Sequence, residues 1–200
     1  MDILTFLGGM FGTRPIEITA ALCGLINVVL IIRRSMWNYP FGFAMVALYA
    51  VIFYDYKLYS DAILQVFFFV IQGFGLVWWL WGRDATGALV VLRLGLRQSL
   101  LSFFAAGLGA LVIGFLMQRY TDAALPFWDA TVASLSVVAQ TLLARRHMAN
   151  WYYWIAVDIV AIGVFVAKGL VPTAALYTIF LGLAVSGLMQ WRRVLRAQEG

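Results

Sequence analysis

Apolar residues fall in seven long runs, at about residues 16–32, 41–54, 62–81, 99–118, 128–144, 152–167 and 173–191. Each run is apolar all round, and each approaches the roughly 17–25 residues that a helix needs to cross the hydrocarbon core. The second and sixth are short and extend into their flanks. Spanning strands do not fit, because they alternate polar with apolar residues. The pattern predicts an all-α integral membrane protein with seven transmembrane helices.

The residues that punctuate these runs recur. An offset of 112 positions places Glu17 on Asp129, Arg33 and Arg34 on Arg145 and Arg146, and Asn38 on Asn150. It continues with Leu58 on Leu170, Gly75 on Gly187 and Trp79 on Trp191. Identity is only roughly a quarter, yet matched Arg-Arg, Asn, Gly and Trp are not apolar filler. The expected organisation is an outer segment at 1–15, a three-helix repeat at 16–82, a cytoplasmic linker and linking helix at 83–122, a second repeat at 123–192, and a cytoplasmic tail at 193–200. Three helices carry the chain across and the fourth brings it back, so both triples start on the same side and the 3+1+3 repeat is parallel. Two such bundles around one central site are the arrangement of a transporter.

Composition agrees with the bilayer as solvent: 64% of the 200 residues are hydrophobic and 12% charged, with a mean hydropathy of +0.92. The net charge of +5 would suggest nucleic acid in a soluble protein. Here the arginines lie between apolar runs, where they set topology, and no nucleic-acid partner is expected. With the amino terminus outside, ten basic residues are cytoplasmic (Arg33, Arg34, Arg83, Arg93, Arg97, Arg145, Arg146, Arg192, Arg193, Arg196) against four outside (Arg14, Lys57, Arg119, Lys168). The carboxyl terminus is then cytoplasmic. Residues 1–15 hold Asp2 and no basic residue before Arg14, which is not the charged start of a cleavable signal peptide. Cys23 has no cysteine partner and reads as a small buried side chain.

Polar residues inside the runs carry the functional information, since hydrocarbon penalises each one that has no purpose. Trp151, Trp154 and Asp158 line one face of the sixth run, an aromatic surface beside a hydrogen-bonding acid that suits a ligand with a flat ring and hydroxyls. The alternative for Asp158 is a bond to a neighbouring helix. Gln65 and Gln72 share a face of the third run with Trp79, and Asn27 and Gln140 sit in the first and fifth. Amides donate and accept, as a sugar or an uncharged heterocycle requires, although each is also fit to join helices. Tyr177 matches Gln65 through the repeat. Asn38 and Asn150 read as helix caps, and Trp78 and Trp81 as interfacial belt residues. His147 is the single histidine, in a basic loop where solvent or headgroup contact is expected.

Several of these motifs resemble a known family. The runs Leu58-Tyr59-Ser60-Asp61-Ala62-Ile63-Leu64-Gln65 and Asn150-Trp151-Tyr152-Tyr153-Trp154-Ile155-Ala156-Val157-Asp158, with Lys168-Gly169-Leu170, Leu176-Tyr177 and Gln140-Thr141-Leu142-Leu143-Ala144-Arg145-Arg146, are similar to PnuC-type nicotinamide riboside transporters. The resemblance implies a SWEET-like fold, facilitated diffusion of an unphosphorylated vitamin precursor across the bacterial inner membrane, trapping by cytosolic phosphorylation, and a homotrimer. One departure is Tyr39 before Pro40, where the family often has tryptophan. Thiamine or riboflavin on the same scaffold, a proton-coupled carrier using Asp158 or Asp61, and a membrane receptor or scaffold are the alternatives. An enzyme is not expected: the sequence shows no nucleophile with a base, no metal cluster and no phosphate-cradling glycine loop, and no cofactor is implied.

Overall fold

The computed structural model describes residues 3–12, 14–56, 59–85 and 87–199. Asp2, Lys57 and Leu58, named above, lie outside the described residues. Eight helices occur among those described: α1 (Ile3–Phe11), α2 (Pro15–Ile32), α3 (Asn38–Asp55), α4 (Tyr59–Trp81), α5 (Leu96–Tyr120), α6 (Pro126–Ala144), α7 (Asn150–Ala167) and α8 (Val171–Glu199). Each of the seven apolar runs lies within one of α2 to α8, and α1 is a further helix that hydropathy does not predict. All but α1 and α3 are long and apolar enough to cross a membrane. α3 has 18 residues, but Asn38, Tyr39, Pro40 and Asp55 dilute its hydropathy. α8 runs about two turns beyond its predicted end, because residues 192–199 contain no breaker and Arg196 complements the helix dipole in the last turn. Large apolar side chains face outward, as Phe103 at 76% and Phe104 at 66% exposure do on α5. A surface of that kind belongs in hydrocarbon. The chain is a multi-pass, all-helical membrane protein.

Two compact units divide the chain, Met1–Val90 and Val91–Gly200. In the first, α1 packs on α2, α2 on α3 and α3 on α4; in the second, α5 packs on α6, α6 on α7 and α7 on α8. α3 therefore touches both α2 and α4, and α7 touches both α6 and α8. The predicted linking helix, α5, is held along α6, where Ser134 Oγ donates to Ala106 O at 2.8 Å. A 2.7 Å hydrogen bond between the hydroxyls of Ser102 and Tyr153 ties it to α7 as well.

Residues matched by the 112-residue offset adopt the same local geometry in their own units. α2 and α6 both end on a left-handed arginine, Arg34 with φ 56 and Arg146 with φ 63. The next N–H turns back in each case, Ser35 to Leu30 O and His147 to Leu142 O, both at 2.9 Å. Such a conformation costs an arginine roughly 1–2 kcal/mol; its cation at the negative end of the helix offsets part of that. Each half of the linker holds the turn of its own unit. Arg34 donates to Leu89 O at 3.1 Å, while Leu92 N–H donates to Arg146 O at 2.9 Å and Met148 N–H to Leu92 O at 3.0 Å.

The expected capping role of Asn38 and Asn150 is corrected by the structure. Trp37 and Ala149 hold the cap positions and make no side-chain cap bond. Both asparagines stand one residue later and donate Nδ2 backward, to Ser35 O at 2.6 Å and His147 O at 2.7 Å. The left-handed turn presents a carbonyl to the amide, so the side chain acts as donor rather than as acceptor of helix N–H groups.

The cores match too. Tyr39 meets Trp79 edge-on, with ring centroids 5.6 Å apart at 90°, and Trp151 meets Trp191 at 5.7 Å and 83°. All four rings are buried. Edge-to-face pairs contribute about 0.5–1.5 kcal/mol beyond the area they bury. Gly187 is required by close approach, since a Cβ there would stand 2.5 Å from the Trp151 ring.

Candidate functional site

Of the residues expected to bind substrate, Asn27, Gln65 and Gln72 belong to the first unit and Gln140, Trp151, Trp154, Asp158 and Tyr177 to the second. Along α4, Gln65 is half-buried while Gln72 and Trp79 are buried, so the predicted stripe faces inward. Asn27 on α2 is 7% exposed and Gln72 is 6% exposed. They converge on Gly42 of α3. A Cβ at Gly42 would overlap Gln72 Oε1 and stand 3.1 Å from Asn27 Oδ1. Asn27 Oδ1 is buried with no hydrogen-bond partner among the described residues.

In the second unit Asp158 is 5% exposed and one turn from the half-buried Trp154. No hydrogen bond joins its carboxylate to another described residue. Gln140 is half-buried. Tyr177 is also half-buried, between Phe165 at 5.1 Å and Phe180 at 6.1 Å. Trp151 does not share the setting of Trp154: it is locked in the core against Trp191 and Gly187, and its Nε1 has no hydrogen-bond partner among the described residues. Trp81 is exposed and Trp78 half-buried at the end of α4.

Apart from Asp158, the charged side chains of the described residues lie at helix ends or in the segments between helices. Glu17, in the first turn of α2, accepts from Arg14 Nε at 2.8 Å and backbone N at 3.2 Å, and from the Tyr56 hydroxyl at 2.9 Å. That carboxylate raises the Tyr56 pKa, and burial adds to the effect. His147 is not the solvated side chain that its loop suggests. It is half-buried with Nδ1 closed off and unpartnered. Burial lowers its pKa, and Arg145 and Arg146 lower it further, against the opposing hydrogen bond with the Arg93 backbone. Among the described residues no group of His, Cys, Asp and Glu gathers as a metal site.

The seven apolar runs contain no Lys or Arg. Their polar groups are amides, hydroxyls, indoles, the Cys23 thiol and three carboxylates, Glu17 and Asp129 in first turns and Asp158 in mid-helix. Groups of this kind suit a neutral or cationic ligand and offer no cation to a phosphate. Sequence reading missed Gly42 and the tie between Ser102 and Tyr153. For Gly42 a signal existed, since the repeat offset matches it to Trp154.

Comparison with known proteins agrees over nearly the whole chain. Residues 14–193 match the family model described as nicotinamide mononucleotide transporter. The nicotinamide riboside transporter PnuC of Escherichia coli strain K12 is 27% identical over 92% of this chain and 87% of its own length. The riboflavin/roseoflavin transporter RibM of Streptomyces davaonensis is 26% identical over 88% of this chain and 83% of its own. A crystal structure of the vitamin B3 transporter PnuC superimposes with a TM-score of 0.75 at 27% identity, covering 97% of this chain and 90% of that one.

Proposed function

This chain belongs to the nicotinamide mononucleotide transporter family, and from that premise we propose that it carries nicotinamide riboside across the bacterial inner membrane by facilitated diffusion. One observation favours the riboside over the mononucleotide of the family description: the apolar runs hold no Lys or Arg. A nucleotide phosphate would shed its water with no cation to receive it. The riboside has no phosphate, its pyridinium ring is positive, and its hydroxyls suit amides. Asp158 complements the ring charge, and Trp154 offers a face on which it stacks.

The proposed binding set is Asn27, Gln65, Gln72, Gln140, Trp154, Asp158 and Tyr177, with Trp151 anchoring the helix that bears Trp154 and Asp158. α2 to α8 are the seven spans of a parallel 3+1+3 repeat in which α5 is the link. The arginine distribution supports an outer amino terminus and a cytoplasmic carboxyl terminus. A homotrimer follows from the family resemblance. Nothing in the sequence supplies an energy-coupling motif, so accumulation depends on cytosolic phosphorylation of the product.

A riboflavin carrier is the second reading, favoured by the likeness to the Streptomyces davaonensis protein. Calorimetric titration of the purified protein with nicotinamide riboside, its mononucleotide, nicotinamide, thiamine and riboflavin separates the two. The riboside should bind tightest, and the mononucleotide at least ten times more weakly. Gln65→Ala, Trp154→Ala and Asp158→Asn should each cost about 1–3 kcal/mol, roughly five- to a hundredfold in affinity. If riboflavin binds tightest, the substrate is wrong; if all three variants bind within twofold of the unaltered protein, the site is wrong.

A further inference from the structure

We propose that the notch over Gly42 is a carboxamide subsite, in which Asn27 Oδ1 and Gln72 Oε1 accept the two N–H groups of a primary amide and thereby select carboxamide over carboxylate. The inference rests on the reading of the substrate as nicotinamide riboside, and it names how one end of that molecule is recognised.

Three observations within the first unit carry it. Gly42 has no side chain at the place where two helices deliver oxygens: Gln72 Oε1 from α4 and Asn27 Oδ1 from α2. Both side chains are more than nine-tenths buried. The Asn27 oxygen has no donor among the described residues, and a buried acceptor without one bears its whole desolvation penalty. Two acceptors on one notch call for a group with two N–H donors and no negative charge. A primary carboxamide supplies both, whereas a carboxylate would set oxygen against oxygen. Gln72 has three side-chain torsions, which let it swing off Gly42 to admit the ligand.

The second unit shows that the fold itself does not need these amides. Its residues at the matching positions are Ala139, Trp154 and Ala184, so the glycine becomes tryptophan and both amides become alanines. Ala139 and Ala184 are as buried as the residues they match. The surrounding frame is unchanged, with Tyr39 on Trp79 and Trp151 on Trp191 in the same edge-on geometry. An amide pair that the frame can lose, with an acceptor left unpaired, is explained by a ligand. The competing account is internal: with its amide turned over, Gln72 donates Nε2 to Asn27 and the pair satisfies itself.

The test measures affinity for nicotinamide riboside and for nicotinic acid riboside, its carboxylate counterpart, on the purified full-length protein. The unaltered protein should prefer the amide by at least tenfold. Gly42→Ala, Asn27→Ala and the near-isosteric Gln72→Met should each bring that preference below threefold, while the carboxylate ligand binds within threefold of its original affinity. Gln72→Met preserves volume and keeps the test open if Gly42→Ala does not fold. An unchanged preference in folded Asn27→Ala and Gln72→Met, with riboside binding intact, overturns the subsite alone and favours the self-paired amides. Failure of the unaltered protein to bind nicotinamide riboside at all overturns both the substrate and the subsite.

Discussion

Lys168 Nζ stands 2.7 Å from Asp129 Oδ1, tying the end of α7 to the first turn of α6 across 39 residues of chain. The residues 112 positions earlier, Tyr56 and Glu17, are joined over the same separation by a 2.9 Å hydrogen bond. An ammonium in one unit replaces a phenol in the other, where the cation comes instead from Arg14, 2.8 Å from Glu17. Both ties hold the first two helices of a triple together at the same end. The position of the tie recurs although its chemistry differs.

The Lys168 and Asp129 side chains are about a quarter exposed, so solvent screens their attraction and the pair contributes about 0.5–1 kcal/mol. A double-mutant cycle of Lys168→Ala and Asp129→Ala, read by thermal unfolding in detergent at low salt, should return a coupling of that size that shrinks in high salt. A coupling of zero at low salt means that the contact does not form in solution.

Gly187 and Gly182 lie on the same helix with opposite surroundings. A Cβ at Gly187 would press on the Trp151 ring, whereas one at Gly182 has nothing within 4 Å. Gly187→Ala should destabilise by about 1–3 kcal/mol. Gly182→Ala should be neutral or stabilise by up to about 1 kcal/mol, since alanine is the better helix former. Equal unfolding temperatures for the two variants would remove the close packing of Trp151 against α8.

His147 gives the protein a pH dependence of known sign. Its folded pKa lies below the ordinary 6.5, so the unfolded chain binds the proton more tightly. The stability that depends on neutral His147 is complete above 6.5 and is lost as pH falls through the folded value. Protonated Nδ1 would need an acceptor, and none faces it among the described residues. The unaltered protein should therefore lose stability on passing from pH 7.5 to 5.5 more steeply than His147→Gln. Parallel pH profiles would contradict the burial of this ring.

Seven of the eight helices among the described residues were legible in the sequence because an apolar run covers most of each, and the matching turns and ring pairs because Arg-Arg, Asn, Gly and Trp stand out against that background. α1 was not legible: nine residues are too few for a span, and hydropathy has no other signal for it. The roles of Asn38 and Asn150 were misread because composition identifies a residue that favours turns without saying whether its amide donates or accepts. The direction became clear only with the left-handed Arg34 and Arg146. Trp151 and Trp154 looked alike in sequence, three residues apart, yet one is a core ring and the other is half-buried. Gly42 carried one signal, its match to Trp154 through the offset, but the close approach itself shows only through the atoms that come near it.

Uptake of labelled nicotinamide riboside into sealed liposomes containing the purified protein tests the central claim most directly. The internal concentration should rise to the external value and stop there, with the same endpoint with or without a proton or sodium gradient, and the mononucleotide should not enter. Absence of riboside uptake, or accumulation above the external concentration driven by either gradient, would contradict a passive carrier for this vitamin.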